Sequence, residues 1–160
     1  MVKIALSGNL FTQSVANNHI RYRKWEYQYT TATTCNGYDV DGNCNSWSGG
    51  DEVYGWNYYY TSANINGSVL SSITNVKIQG KSPIIKGDIT KETDTYNIPS
   101  GGEYYSGKHV NISGTVTSGN SKNVYVNGKS VSIVGSSTNT HADTNTQISS
   151  GGSSSTVNIN

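Results

Sequence analysis

The sequence predicts an all-β fold, and three observations carry that prediction. Thirteen Ile and thirteen Val stand against three Leu and five Ala; β-branched residues suit a pleated surface, whereas Leu and Ala favour helices. Twelve Tyr and three Trp point the same way. Ser, Asn, Gly and Thr make up nearly half of the chain, and the apolar stretches between them are short alternations bounded by turn residues. With 33% apolar and 13% charged residues, the chain is neither an ordinary enzyme-like mixture nor a charged disordered tail. Its 160 residues suit one domain with a modest core.

The formal net charge of +1 gives no electrostatic reason to expect nucleic acid or an anionic membrane. No apolar run approaches the roughly 18 residues that a membrane helix needs. The apolar start, Met1 to Phe11, is broken by Ser7, Gly8 and Asn9 and is too short for a signal-peptide core. Synthesis in a cytoplasm without a signal peptide is the expectation.

The aromatics concentrate early, with all three Trp and eight Tyr between Tyr22 and Tyr60. A boundary is expected near residue 61, between an aromatic front section (1–61) and a repetitive back section (62–160) that together can form one compact unit. In the front section, Tyr22 to Thr30 alternates loosely and reads as a strand, with Val53 to Tyr60 as its partner. The intervening residues 31–52 carry both cysteines, Cys35 and Cys44, and are long for a plain hairpin connection. Within them, Asp41-Gly42 marks a small hairpin tip.

The back section repeats. One copy runs over residues 72–88, a second over 119–136, and a third, over 151–160, is cut off by the chain end. Each has a Gly/Ser-rich turn, then Val76-Lys77-Ile78-Gln79, Val124-Tyr125-Val126-Asn127 or Val157-Asn158-Ile159-Asn160. Gly80-Lys81-Ser82 or Gly128-Lys129-Ser130 follows in the first two, leading into a second short strand. Asn127-Gly128 is a strong two-residue hairpin signal and Gln79-Gly80 a weaker one. Two of the three histidines keep the phase: His109 precedes Val116 by seven residues, and His141 precedes Ile148 by the same seven.

Val124 to Ser136, the histidine ahead of each copy, and the closing Thr156-Val157-Asn158-Ile159-Asn160 together resemble the PAAR-repeat family. The name-giving Pro-Ala-Ala-Arg reads Ser130-Val131-Ser132-Ile133 in one copy and Ser82-Pro83-Ile84-Ile85 in the other; Gly-Asp survives as Gly87-Asp88. The resemblance covers residues 62–160 at the level of motifs. It implies a β-helical cone of short hairpins capping a trimeric β-helical spike, one copy per trimer, at the tip of a phage tail, tail-like bacteriocin or type VI secretion system. It further implies a monomer on its own, made in the bacterial cytoplasm and acting at the target cell envelope, and one structural metal ion near the apex held by His and Cys.

On that footing His109 and His141, at equivalent repeat positions, are candidate ligands. His19 is the only histidine left for a third place, and Cys35 or Cys44 is the possible fourth ligand. Neutral imidazoles suit zinc, ranked first, or iron, and a closed site needs four such ligands. A disulfide or two free thiols is the competing reading of the cysteines, although a reducing cytoplasm disfavours the bond. Asp39-x-Asp41-Gly42-Asn43 lacks the glycine and glutamate positions of a calcium loop and reads as a turn. The Tyr/Trp cluster either builds a thin sheet's core, the reading with more weight, or forms a sugar-binding platform. The acidic residues are read as scattered in turns. No catalytic motif is present, so the expectation is no enzyme. A surface adhesin or carbohydrate-binding module is the alternative function.

Overall fold

The computed structural model describes residues 2–153 and 156–159. Met1, Ser154, Ser155 and Asn160, the last three of them part of the third repeat copy, lie outside the described residues. The fold is all-β, with a curled half-barrel sheet as its largest element. The strands are β1 (Val2–Lys3), β2 (Ser14–Thr30), β3 (Thr34–Tyr38), β4 (Cys44–Ser48), β5 (Glu52–Leu70), β6 (Ile89–Thr95) and β7 (Gly102–Ser106). They continue with β8 (Val110–Ile112), β9 (Thr115–Val116), β10 (Tyr125–Val126), β11 (Lys129–Ser130), β12 (Ser137–Asn139), β13 (Asn145–Gln147) and β14 (Asn158–Ile159). The main sheet runs β13-β12-β9-β6-β5-β2-β7, with β8 also on β6.

The repeat closes on itself through the chain's opening residues. β14 pairs with β1, Ile159 opposite Val2, just as β10 pairs with β11, Val126 opposite Lys129. The third copy is therefore completed by residues 2–9. Three segments, centred on Ala5, Ile84 and Ser132, meet in a ring of backbone hydrogen bonds. The Ala5 N–H donates to Ser132 O (2.9 Å), the Ser132 N–H to Ile84 O (2.7 Å), and the Ile84 N–H to Ala5 O (3.0 Å).

Each segment ends in the same tight turn, Leu6 to Asn9, Ile85 to Asp88 and Ile133 to Ser136, with φ of +93°, +94° and +96° at Gly8, Gly87 and Gly135. A positive φ at the third turn position is what demands glycine there. In each turn the last side chain accepts a hydrogen bond from the first residue's N–H: Asn9 from Leu6 (2.7 Å), Asp88 from Ile85 (2.9 Å) and Ser136 from Ile133 (2.9 Å).

This frame buries two apolar layers. Ile4, Leu6, Ile73, Ile85, Val126 and Val131 form the first; Ala5, Val69, Ile84, Val116 and Ile148 form the second. From the second layer the chain makes three excursions, residues 10–68, 89–115 and 137–147. All three are gated alike: Val69, Val116 and Ile148 each donate to and accept from the turn where their excursion began, at 2.7–2.9 Å. A third cluster, Phe11, Ala16, Ile20, Ala63 and Ile65, lies within the first excursion.

The first excursion contains the predicted strand pair. β2 pairs antiparallel with β5, Trp25 opposite Trp56 and Tyr27 opposite Tyr54. Residues 31–52 form the smaller β3–β4 hairpin, where Asp39 accepts from the Asp41 and Asn43 N–H groups, the predicted turn. Those backbone donors, Asn43 foremost, hold the Asp39 carboxyl below its ordinary range. Two expectations need correction. The boundary near residue 61 falls inside β5, which runs unbroken from Glu52 to Leu70 and pairs with both β2 and β6. Most of the aromatics are not a thin sheet's core either: Trp25 is 56% exposed and Tyr60 56%, and Trp25 meets Trp56 edge-on at 5.1 Å, whereas Tyr22 is buried and stacks on Tyr59.

The two-residue hairpin turns are alike, with φ of +51° and +78° at Gln79-Gly80 and +50° and +76° at Asn127-Gly128, the primed geometry that matches strand twist. A Cβ on Gly128 meets nothing within 4 Å. Gly128→Ala is therefore expected to incur only the backbone cost, about 1 kcal/mol. Thermal melting should register a fall of about 2–4 °C.

Candidate metal centre

All three histidines converge, one or more ligand candidates arriving from each excursion. His19 comes from β2, where the register with β5 shifts between Ala16 and Ile20 and Asn18 takes φ +54°. Such a bulge re-aims side chains, and here it brings His19 to the cluster. His109 sits between β7 and β8, and its approach depends on Gly107 (φ +104°), where any Cβ would overlap the His19 carbonyl. His141 lies in the β12–β13 connection.

The imidazole centroids are 5.2, 5.3 and 4.9 Å apart. Asp94, from β6, sits among them. Its Oδ2 is 3.1 Å from His19 Nε2 and 3.2 Å from His109 Nδ1, and it accepts the His109 backbone N–H at 2.8 Å. Its Oδ1 is 3.3 Å from His141 Nε2, and His19 Nε2 is 3.3 Å from His109 Nδ1. Donors bound tetrahedrally at about 2.0–2.1 Å from zinc are about 3.3 Å from one another; the separations among His19 Nε2, His109 Nδ1 and Asp94 Oδ2 are of that size, while His141 Nε2 stands nearest the other Asp94 oxygen. The four side chains form a group whose ligand atoms all lie within 4.8 Å.

Burial sharpens the case. The Asp94 side chain is 0% exposed and that of His141 4%, while His19 is at 17% and His109 at 40%. Asp94 Oδ1 and His141 Nε2 are buried with no hydrogen-bond partner. Unpaired buried polar atoms are costly, and two of them face to face are what an ion would satisfy. The residues present therefore fit a metal.

No family model matches the chain, and no curated protein or solved structure matches it.

The possible fourth ligands from the sequence, Cys35 and Cys44, are elsewhere. They are bonded to each other in the β3–β4 hairpin, with Cα atoms 5.8 Å apart, because that hairpin folds them onto adjoining strands. Asp94 is instead the fourth member of the cluster that could hold an ion. Cys35→Ser is accordingly expected to leave metal content unchanged by elemental analysis; a loss of metal would put the hairpin tip in the site. The reading of the acids as turn residues is corrected too, since Glu92 and Asp94 are fully buried on one face of β6. Two carboxylates spaced i, i+2 within an alternating strand were the available signal. The phase of the repeat places Ser62, not a histidine, seven residues before Val69, which is why the third imidazole comes from β2.

Proposed function

We propose that this chain is a PAAR-like, metal-bound tip that caps the trimeric β-helical spike of a contractile injection machine and pierces the target envelope. The single observation that carries the reading is the pseudo-threefold ring of Ala5, Ile84 and Ser132 with its three matching turns. A lone chain that docks on a threefold partner must present three similar edges, and strand edges are natural templates for sheet extension. The metal is a structural zinc, with iron second: three imidazoles and a carboxylate suit both, and a closed set of four N and O donors is the usual structural zinc complement. The ion would tie the three excursions together beyond the second apolar layer, adding to the small third cluster, against which Tyr96 and Ala142 pack from the other two excursions. A Cys35–Cys44 disulfide suits a protein that works outside a reducing cytoplasm.

Elemental analysis of untagged protein is expected to give one zinc per chain, and transition metal at background would sink the metal. Mixed with the spike protein encoded beside sheath and tube genes, the chain should co-purify at one copy per spike trimer. A stable homotrimer of this chain in solution would contradict the cap geometry.

A second reading, a carbohydrate-binding adhesin, is favoured by one observation. The Arg21 guanidinium lies 4.4 Å from the Tyr58 ring and 5.2 Å from that of Tyr105, on an exposed face that also carries Trp25 and Trp56. Retardation in polysaccharide-containing gels that Trp56→Ala abolishes would support it.

A further inference from the structure

Beside the four candidate ligands lies a second carboxylate, Glu92, that is 0% exposed. Its oxygens are fully engaged. Oε1 accepts the Thr90 hydroxyl, which itself accepts the Gly114 N–H at 2.7 Å. Oε2 accepts the His141 backbone N–H at 2.9 Å and lies 2.6 Å from His141 Nδ1. Glu92 is thus too committed to be a ligand, yet it touches the most buried imidazole at the nitrogen that faces away from Asp94.

That contact decides which nitrogen of His141 carries the proton. With Nδ1–H donated to Glu92, the lone pair is on Nε2, the unpartnered atom opposite Asp94 Oδ1. Charge points the same way. Neither Glu92 nor Asp94 has an ion pair with Lys or Arg among the described residues; their charged-group contacts are all to histidines. With the imidazoles neutral, as metal ligation requires, the two carboxylates would be balanced by one divalent cation. Buried charge left unbalanced is strongly unfavourable.

We propose that Glu92 is a positioning residue for the metal: as a carboxylate that can only accept, it fixes His141 in the Nδ1–H form and aims Nε2 at the ion. This rests on the metal reading above and adds to it a fifth, outer residue. Outer carboxylates of this kind raise ligand basicity and hold the ring's orientation.

The test uses full-length untagged protein, stripped with chelator and titrated with Zn²⁺ against a chromophoric competitor. Glu92→Gln, which keeps shape but removes charge, should weaken zinc binding by about 10- to 100-fold. The metal-free variant should melt at or above the metal-free wild type, because one buried charge is gone. A merely structural Glu92 predicts the reverse, an unchanged affinity with both melting temperatures lowered, and that result would overturn the proposal. Thr90→Val, which keeps the charge but frees Oε1, should give a smaller loss of affinity in the same direction. Should the variants fail to fold, long-range ¹⁵N spectra of the zinc-loaded wild type still decide: His141 protonated on Nδ1 and metallated on Nε2 supports the proposal, and the opposite arrangement overturns it. Wild-type protein that takes up no zinc defeats the metal reading itself, whereas wild-type binding matched by Glu92→Gln defeats only the role of Glu92.

Discussion

His141→Ala should abolish stoichiometric metal and produce the largest stability loss of any single ligand change. Among the three imidazoles, that of His141 is the most buried, and its Nε2 has no other partner. Removing it takes away one coordination bond and leaves Glu92 and Asp94 buried without their compensating neighbour. An ion that binds only the folded state, at a thousand times its dissociation constant, stabilises by about 4 kcal/mol. In a domain of this length that is worth about 8–16 °C in melting temperature. Chelator should lower melting in the wild type and leave the variant unchanged, and any further deficit of the variant below the chelated wild type measures the lost contacts to Glu92 and Asp94. Equal melting of the two proteins, with and without chelator, would mean that no ion supports the fold. His109→Ala removes a side chain that is 40% exposed, so its expected effect is smaller and in the same direction.

Gly114→Ala should be comparably severe for a different reason. A Cβ at this position would overlap the Asn139 carbonyl and Glu92 Oε1, with Thr140 Cα 2.8 Å away. Two of those atoms are backbone, so the β8–β9 connection must draw away from the β12–β13 connection, and the Glu92 carboxylate beside His141 must shift. Overpacking of this kind costs about 3 kcal/mol or more. Zinc affinity should fall together with melting temperature, whereas Gly128→Ala, at an open turn, should lower melting slightly and leave affinity alone. If Gly114→Ala binds zinc normally, Glu92 is not coupled to the centre through this packing.

Legibility in the sequence followed the physics of each element. Asn127-Gly128 and Asp41-Gly42 announced their turns because positive φ restricts the choice of residues. The β2–β5 pairing showed as two aromatic alternations, and the histidines showed as a phase within a repeat. Asp94 and Glu92 did not show, because β6 reverses the usual pattern: Thr90, Glu92 and Asp94 face inward while Ile89 faces solvent. Alternation gave the face, but only the centre's need for charge makes the polar face the inner one. The closing strand Val2–Lys3 is two residues long, too short for any periodicity. The composition change near residue 61 was real but marked depth rather than a domain edge. β5 is aromatic where it stands in solvent and turns to Ala63, Ile65 and Val69 where it enters the core.

The matched gates at Asn9 and Val69, Asp88 and Val116, and Ser136 and Ile148 close the frame in the same way under each excursion. Each gate is latched by its own pair of backbone hydrogen bonds, and the entropic cost of closing a longer loop grows only logarithmically. The three excursions thus enter one chassis through equivalent ports, and beyond the ports they are tied to one another, β2 to β7, β5 to β6 and β9 to β12. Residues 10–68 show how much cargo a port accepts: a ribbon of paired strands with a disulfide at its far hairpin, and still His19 delivered to the centre. The shortest port, residues 137–147, is the natural place to graft new sequence, provided that His141 keeps its place.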